Sequence, residues 1–519
     1  MSAGESIRER KTLLQRLLDG IEIVGNKVPH PAVIFLILCA LVIVLSHLFY
    51  MLGTSVTYQI IAPQTHQLVT QPTTANSLLT AEGIRFLFTS TVRNFMSFTA
   101  VGVILVAMVG VGLAEEAGLI GALIRMVVRV APPSTITFII VLAGILSSIA
   151  SDAGYLVLIP LGAIAFYSLG RHPLAGIAAA FAGVSAVFGV NLLITPTDGI
   201  LTEIANDAIH MVNPAMSIDL TANLYFSAAS TLLMCVVCTI VNDRIVEPRL
   251  GKYEGTPDLL PTEDAPALES RGLKFAAYAL LGFLIVVGLL ALPPGAPLRN
   301  PDTGALIGVS PFMDSIIVLI MFLFLVTGAA FGAGAGTITS MKDGIAAITK
   351  TFAGLGGLLF LFLIISQFVA YFNYSNLSTI VGVNMADVLE KLSVGPVWLL
   401  LGFVVIVAIL NLLIPGGIPK WAIFAPIFVP LFMHLHVSPA MLLAAYRVGD
   451  SPGNVITPLM AYFGLIVVFA QRWDKSAGVG TIVALMLPYT VILYVAWTVV
   501  LLAWYLLGIP VGPGAGVHV

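Results

Sequence analysis

Apolar runs of about 20 residues recur along the whole chain, each long enough to cross a hydrocarbon layer roughly 30 Å thick as a helix. The pattern predicts nine spanning helices, near 32–53, 86–112, 173–195, 222–242, 273–292, 311–332, 352–372, 441–468 and 481–507. Two further apolar stretches, 134–168 and 396–432, are interrupted midway by the polar or helix-breaking clusters "SSIASDAG" (147–154) and "PGGIPK" (415–420). These are expected as helical hairpins that enter and return on one side. The fold class is therefore an all-α polytopic membrane protein, with about nine transmembrane helices and two re-entrant hairpins.

Composition supports this and narrows the function classes. Charged residues make up 9% of the 519 and hydrophobic residues 59%, where a soluble protein carries roughly a quarter charged. So little charge cannot cover a water-facing surface, and nothing points to nucleic acid. Cys39, Cys235 and Cys238 all lie in apolar runs, so the C-x-x-C of "TLLMCVVCTIV" reads as membrane-buried filler. Leu13, Leu14, Leu17, Leu18 and Ile21 are spaced for an amphipathic helix on the membrane surface within a cytoplasmic N-terminus, 1–31.

Charge placement adds orientation. With the N-terminus inside, 17 of the 23 basic residues fall in cytoplasmic segments and 4 outside, a strong positive-inside bias. Lys420 and Arg447 remain within membrane segments. The same assignment sends the first hairpin in from the cytoplasm and the second from outside. It divides the chain into a first membrane half, 32–243, a Pro-containing cytoplasmic linker, 244–272, a second half, 273–507, and a tail, 508–519.

The halves echo one another. Tyr155 precedes Pro160 by five residues and Trp421 precedes Pro426 by five, while Pro173 and Pro439 each open the following span. Both aromatic residues, and both of the later prolines, are 266 apart. "NLLITPTDG" (191–199) then echoes "NVITPLMAY" (454–462). Inverted repeats with interrupted helices are the build of many secondary transporters. Broken backbone persists in lipid only where it is buried or lines a cavity, and helix ends there bind ions.

Against that frame the charges of "AAYRVGDSPGNVITPLMAYF" (444–463) read as a site. Arg447 and Asp450 each cost at least about 2.5–3.5 kcal/mol at a bilayer centre, and at i, i+3 they share a helix face and can pair. Lys420 beside Trp421 is a third unusual charge. Candidate solute contacts are Trp421, Lys420, Pro439, Arg447, Asp450 and Asn454. Candidate contacts for a coupling Na⁺ or H⁺ are Ser151, Asp152, Asn191, Thr195, Asp198 and Thr457, with Asp198 alternatively at the outer mouth. No cofactor is expected. His434 and His436 form an H-x-H, but no metal site is assigned there, and "FGAGAG" (331–336) reads as a packing or helix-end device.

The run "KWAIFAPIFVPLFMHLHVSPAMLLAAYRVGDSPGNVITPLMAYF" (420–463) resembles the AbgT family, the aminobenzoyl-glutamate transporters, and so do 9–31, 145–163 and 182–201. The resemblance implies nine spans plus two opposed hairpins and a homodimer in the bacterial inner membrane. It also implies ion-gradient-driven movement of aminobenzoyl-glutamate or efflux of sulfonamide antimetabolites. It places Trp421, Pro439, Arg447 and Asp450 on the substrate path, with Asp198 matching an acid of the first half. One departure is "PGGIPKW", where the family commonly has a small, Ser-rich turn; Ile418 and Pro419 remove hydroxyl ligands.

The expected function is thus a secondary active transporter, not an enzyme, with a passive channel or facilitator for small organic anions as the alternative. "VGD" (448–450) lacks the first glycine of the aspartyl-protease G-x-G-D signature, and no Tyr-Asp pair exists to supply a second aspartate. No phosphate-binding loop of the G-x-x-x-x-G-K-[ST] kind is present either.

Overall fold

The computed structural model describes residues 31–61, 68–129, 132–150, 154–253, 255, 266–306, 310–377, 379–381, 383–384, 395–412, 416–460 and 462–519. The expected amphipathic N-terminus lies outside these, as do Ser151 and Asp152. With no water in a bilayer core, each backbone polar group must find an internal partner, and a helix supplies one. The described chain is accordingly helical, apart from one antiparallel ribbon pairing Ser55–Ile61 (β1) with Leu68–Thr74 (β2), within the segment read only as polar and Thr/Gln-rich.

Helix α1 (Pro31–Met51) precedes the ribbon. After it come α2 (Ala81–Thr89), α3 (Thr91–Met96), α4 (Thr99–Glu116) and α5 (Leu119–Arg129), then α6 (Ile136–Ser147), α7 (Ile159–Ser168), α8 (Pro173–Phe181), α9 (Pro196–His210) and α10 (Leu224–Val241). The second half comprises α11 (Pro266–Ala291), α12 (Ile316–Ala335), α13 (Met341–Gly354), α14 (Gly356–Tyr374) and α15 (Pro396–Asn411). It ends with α16 (Gly417–His434), α17 (Pro439–Asp450), α18 (Phe463–Gln471) and α19 (Val479–Leu506).

Among the described residues eight helices are long and apolar enough to cross a membrane. Seven match expected spans; the eighth is α16, an arm of the second predicted hairpin. The spans expected at 173–195 and 441–468 are not continuous helices. The first is helical to Phe181, widens into a π-helical turn at Ala182–Ala186 and unwinds before α9. The second stops at Asp450, passes through a 3₁₀ turn at Pro452–Val455 and resumes at Phe463. In the second break Pro452 lacks the N–H that would continue the helix; in the first no proline lies in 182–195, and Thr195 with Pro196 caps and opens α9.

Two other boundaries move. The run at 86–112 is divided before Thr99, where Ser90 and Ser97 hydroxyls donate back to the carbonyls of Phe86 (2.7 Å) and Arg93 (2.8 Å) and compete with the helix ladder. The linker is shorter than 244–272, because α10 runs on through a π-helical turn to Leu250 and α11 begins at Pro266. Glu247 of that extension is ion-paired with Arg171, which also meets Asp243 (2.7 Å) and lies 4.1 Å from the Phe166 ring.

The arms of each interrupted stretch pack on the helix that follows: α6 and α7 on α8, α15 and α16 on α17. Small residues allow the close approach. A Cβ on Gly176 would lie 2.2 Å from the Gly162 carbonyl oxygen, so α7 and α8 meet backbone to backbone. At the periphery, α11 and α4 pack on α12, and α1 packs on α14. Gly336, at φ 78°, ends α12, while a Cβ on Gly334 would lie 2.9 Å from Gly272 Cα of α11. The C-terminal tail is docked: the Val511 and Val517 carbonyls accept from the N–H groups of Phe226 (3.1 Å) and Ser438 (3.0 Å), both near helix N-termini that lack internal acceptors.

Helix α8 is capped by a titratable group. His172 Nδ1 accepts the Leu174 N–H at 3.2 Å, which requires that nitrogen to be unprotonated. Burial lowers the His172 pKa below its usual value, partly opposed by Glu247 and Asp474. The unfolded chain therefore takes up this proton more readily, and the cap's stabilisation is full above about pH 6.5 and lost as pH falls toward the lower folded value. The variant His172→Asn, which keeps a capping oxygen, is expected to lose about 1–2 °C less in unfolding midpoint than wild type between about pH 8 and about pH 5.5. Thermal scans in detergent at both pH values check this.

Candidate functional site

The two breaks face each other. The Gly189 N–H donates to Ser451 Oγ at 3.0 Å, and Asn454 Nδ2 donates to the Ser185 carbonyl of the first-half π turn at 3.4 Å. Tyr155 and Tyr462 stack across the junction with centroids 4.5 Å apart. Gly189 has no room for a side chain, since a Cβ there would lie 2.3 Å from Ser451 Oγ.

Each break is also fastened to the interruption of its own half. Asn191 Nδ2 donates to the Ile145 carbonyl (2.8 Å) and to Ser148 Oγ (3.0 Å) at the end of α6. Thr457 Oγ1 donates to the Leu412 carbonyl (3.1 Å) at the end of α15. Carbonyls at the ends of α6 and α15 thereby gain a side-chain donor from the broken span of the same half.

Thr195 and Asp198 form a reciprocal cap on α9. The Thr195 N–H and hydroxyl donate to Asp198 Oδ2 at 2.7 and 2.8 Å, and the Asp198 N–H returns to Thr195 Oγ1 at 3.2 Å. That cap leaves Oδ1 for Arg447, which reaches it at 2.6 Å from α17. The same guanidinium donates to the Gly189 carbonyl (2.8 Å) and to Asn223 Oδ1 (3.0 Å). Arg447 is 4% exposed, so its charge is held almost wholly by protein partners.

The i, i+3 pairing that the spacing of Arg447 and Asp450 allows does not form. Asp450 pairs instead with Lys420 at 2.5 Å, and both are buried. Lys420 also donates to Asn411 Oδ1, whose amide donates to the Asp450 carbonyl at 2.5 Å. Two partners on other helices satisfy the two charges more fully than one neighbour on α17, because each guanidinium and carboxylate offers several hydrogen-bonding positions. Asp198 is held at the meeting of the breaks by the α9 cap and Arg447.

Two expected solute contacts are turned inward. Trp421 is fully buried, donates to the Leu201 carbonyl at 2.9 Å and lies 4.8 Å from the Tyr446 ring. Lys420 is 1% exposed. Pro439 is the first residue of α17, eight positions and roughly 12 Å of helix from Arg447. A cavity of about 20 Å³ lies between the halves, walled chiefly by Gly189, Asn191, Asp198, Gly417, Tyr446, Arg447 and Asp450. It has room for about one water. In place of the Ser-rich turn, the second interruption offers backbone: the Tyr446 hydroxyl donates to the Gly417 carbonyl, and a Cβ on Gly417 would lie 3.1 Å from Asp450 Oδ2.

Asn223, Asn411 and Tyr446 were not anticipated. Asn411 carried a signal, a lone amide inside the apolar run "VVIVAILNLLIP". Among the described residues no group of three His, Cys, Asp or Glu could hold a metal.

Broken helices from two repeated halves, meeting around paired buried charges, define a membrane transporter. The chain belongs to the AbgT transporter family, whose profile matches residues 16–519. It is 33% identical over 499 residues to the p-aminobenzoyl-glutamate transport protein of Escherichia coli (strain K12), covering 96% of each chain. Among solved structures it is similar to the YdaH transporter of Alcanivorax borkumensis, reported to have an unusual topology, at TM-score 0.87 and 41% identity over 93% of this chain and all of that one. It is also similar to MtrF of Neisseria gonorrhoeae, described as illuminating a class of antimetabolite efflux pumps, at TM-score 0.89 and 38% identity over 96% of this chain and all of that one.

Removing one member of a buried pair costs about 3–5 kcal/mol, while replacing both with apolar groups is often close to neutral. Asp450→Leu alone is therefore expected to lower the unfolding midpoint markedly, and Lys420→Met added to it to restore most of the loss. A double-mutant cycle on midpoints in detergent measures the coupling.

Proposed function

We propose that the chain is a secondary active transporter of aminobenzoyl-glutamate-like solutes, or an exporter of sulfonamide antimetabolites, driven by a Na⁺ or H⁺ gradient. The observation that carries this reading is the Arg447–Asp198 pair, which joins the two halves at the point where both helices break. Arg447 is the cavity's cation and is assigned to the solute's carboxylate or sulfonyl oxygens; Tyr446, which faces the same space, supplies an aromatic wall. Lys420 and Trp421 act from behind, holding Asp450 and α9.

A drug-sized solute needs a site of several hundred Å³, so the halves must separate to admit it. Separation strips Arg447 and Asp198 of each other and leaves two charges that a solute anion and a coupling cation can satisfy. Asp198 and Asp450 are accordingly the proposed coupling carboxylates, and Asn191, Thr195, Asn454 and Thr457 position the broken backbone. A continuous open pore is disfavoured by the narrowness of this junction. We further propose a homodimer in the bacterial inner membrane, as the family resemblance implies, with a cytoplasmic N-terminus, from the bias of basic residues. The division into two membrane halves joined by a cytoplasmic linker rests on that bias too.

In liposomes loaded with a Na⁺ gradient, a pH gradient or neither, labelled aminobenzoyl-glutamate is expected to accumulate above equilibrium with one gradient only. Arg447→Lys keeps the charge but loses the fork that spans Asp198, Gly189 and Asn223, and it should lower uptake at least about tenfold. Full activity in a folded Arg447→Lys protein would remove Arg447 from the solute path.

A further inference from the structure

A second cavity, of about 400 Å³, lies at the other end of α9 from the central site. Its polar wall includes Asn94 and Ser97 from α3 and its C-terminal turn, Asp207 and His210 from α9, and Ser366 and Tyr374 from α14. Asp207 is unusual there. Its Oδ2 is buried without a hydrogen-bond partner, and it lies in the last turn of α9, where the helix dipole opposes negative charge. Glu203, one turn earlier on the same face, is a second carboxyl and hydrogen-bonds Thr99 of α4. On the helices packed against α9, Lys420 is paired with Asp450, Arg447 with Asp198 and Glu116 with Lys350, the Tyr446 hydroxyl donates to the Gly417 carbonyl, and Glu115 and His434 do not line the cavity. At the cavity itself the others are His210 and Tyr374, and no lysine or arginine lines it.

The size and chemistry of the space select among occupants. A bare metal ion needs a close cage of several oxygens, which so wide a cavity with one lining carboxylate does not provide. An organic anion would be repelled by Asp207 and Glu203. A proton needs one carboxylate oxygen and access to water, and a polar space of this volume holds many waters. We propose that Asp207 is a proton-loading site, reached by water through this cavity, for the gradient-driven transport assigned to the central site, and the proposal rests on that assignment. The proton passes from cavity water to the Asp207 carboxylate and returns to water when the site unloads, with no other bond made or broken. Helix α9 carries Asp198 in its first turn and Asp207 in its last, so a change in how its C-terminal end packs is felt where Arg447 grips its N-terminal end. The charge-derived topology places the cavity toward the outside, at the outer ends of the predicted spans 86–112 and 352–372.

The test uses full-length wild type and Asp207→Asn in liposomes with labelled aminobenzoyl-glutamate, under a pH gradient of one unit in either orientation, and, separately, equilibrium exchange without a gradient. Wild type is expected to accumulate solute up to about tenfold per coupled proton. Asp207→Asn is expected to exchange within about twofold of wild type while its accumulation falls to the equilibrium ratio. Wild-type-like accumulation by Asp207→Asn overturns the proposal, as does wild-type accumulation driven by Na⁺ alone. Loss of exchange together with accumulation also overturns it, by making Asp207 part of the solute path. A wild type that neither exchanges nor accumulates the solute overturns the transport reading itself, and this proposal with it.

Discussion

A cation buried between two halves of a membrane protein must be neutralised by something, and here Arg447 is neutralised from the opposite half. Asp198, the Gly189 carbonyl and Asn223 all belong to the first repeat, while Arg447 belongs to the second. Everything around this contact is arranged to make it possible. The α9 cap takes one oxygen of Asp198 and leaves the other, the break before α9 frees the Gly189 carbonyl, and glycine at 189 lets α17 approach. Removing any one of these would leave charge or backbone unsatisfied where water is absent, at a cost of several kcal/mol.

The same constraint explains the second pair. Lys420 sits at the start of α16 and Asp450 at the end of α17, so their contact ties a hairpin arm to the broken span beside it. Asn411 completes the arrangement by accepting from Lys420 and donating to the Asp450 carbonyl. Both pairs are therefore joints between separate elements. A joint of this kind holds one arrangement firmly, yet it can exchange its internal partner for a solute or an ion of matching charge. This is the physical requirement of alternating access, in which one half moves against the other around a fixed site.

Helix α9 connects these features. It is gripped by Arg447 at its first turn and by Trp421 at Leu201, and its last turn meets the polar cavity beside α3 and α14. Its sequence, "PTDGILTEIANDAIH", is too polar to be recognised as a membrane element. Only burial against α4 and α16 brings it into the interior, and this is why Asp198 had two readings until its partners were known.

Hydrophobic run lengths and the two interruptions were sufficient for the helical class and the list of unusual charges, and the 266-residue spacing of Tyr155 with Trp421 and Pro173 with Pro439 suggested two related halves. Those features can be read position by position along the chain, since an apolar run, a proline or a charge out of place in it is recognisable without knowing its partner. Partner choice is not local. Arg447 and Asp450 are well spaced to pair along one helix, and Trp421 and Lys420 are plausible solute contacts, until the packing of α9, α16 and α17 supplies better-placed oxygens. The tertiary structure decided which charge meets which, because a buried ion takes the partners that satisfy most of its hydrogen-bonding positions, and for Arg447 those came from residues more than two hundred positions away.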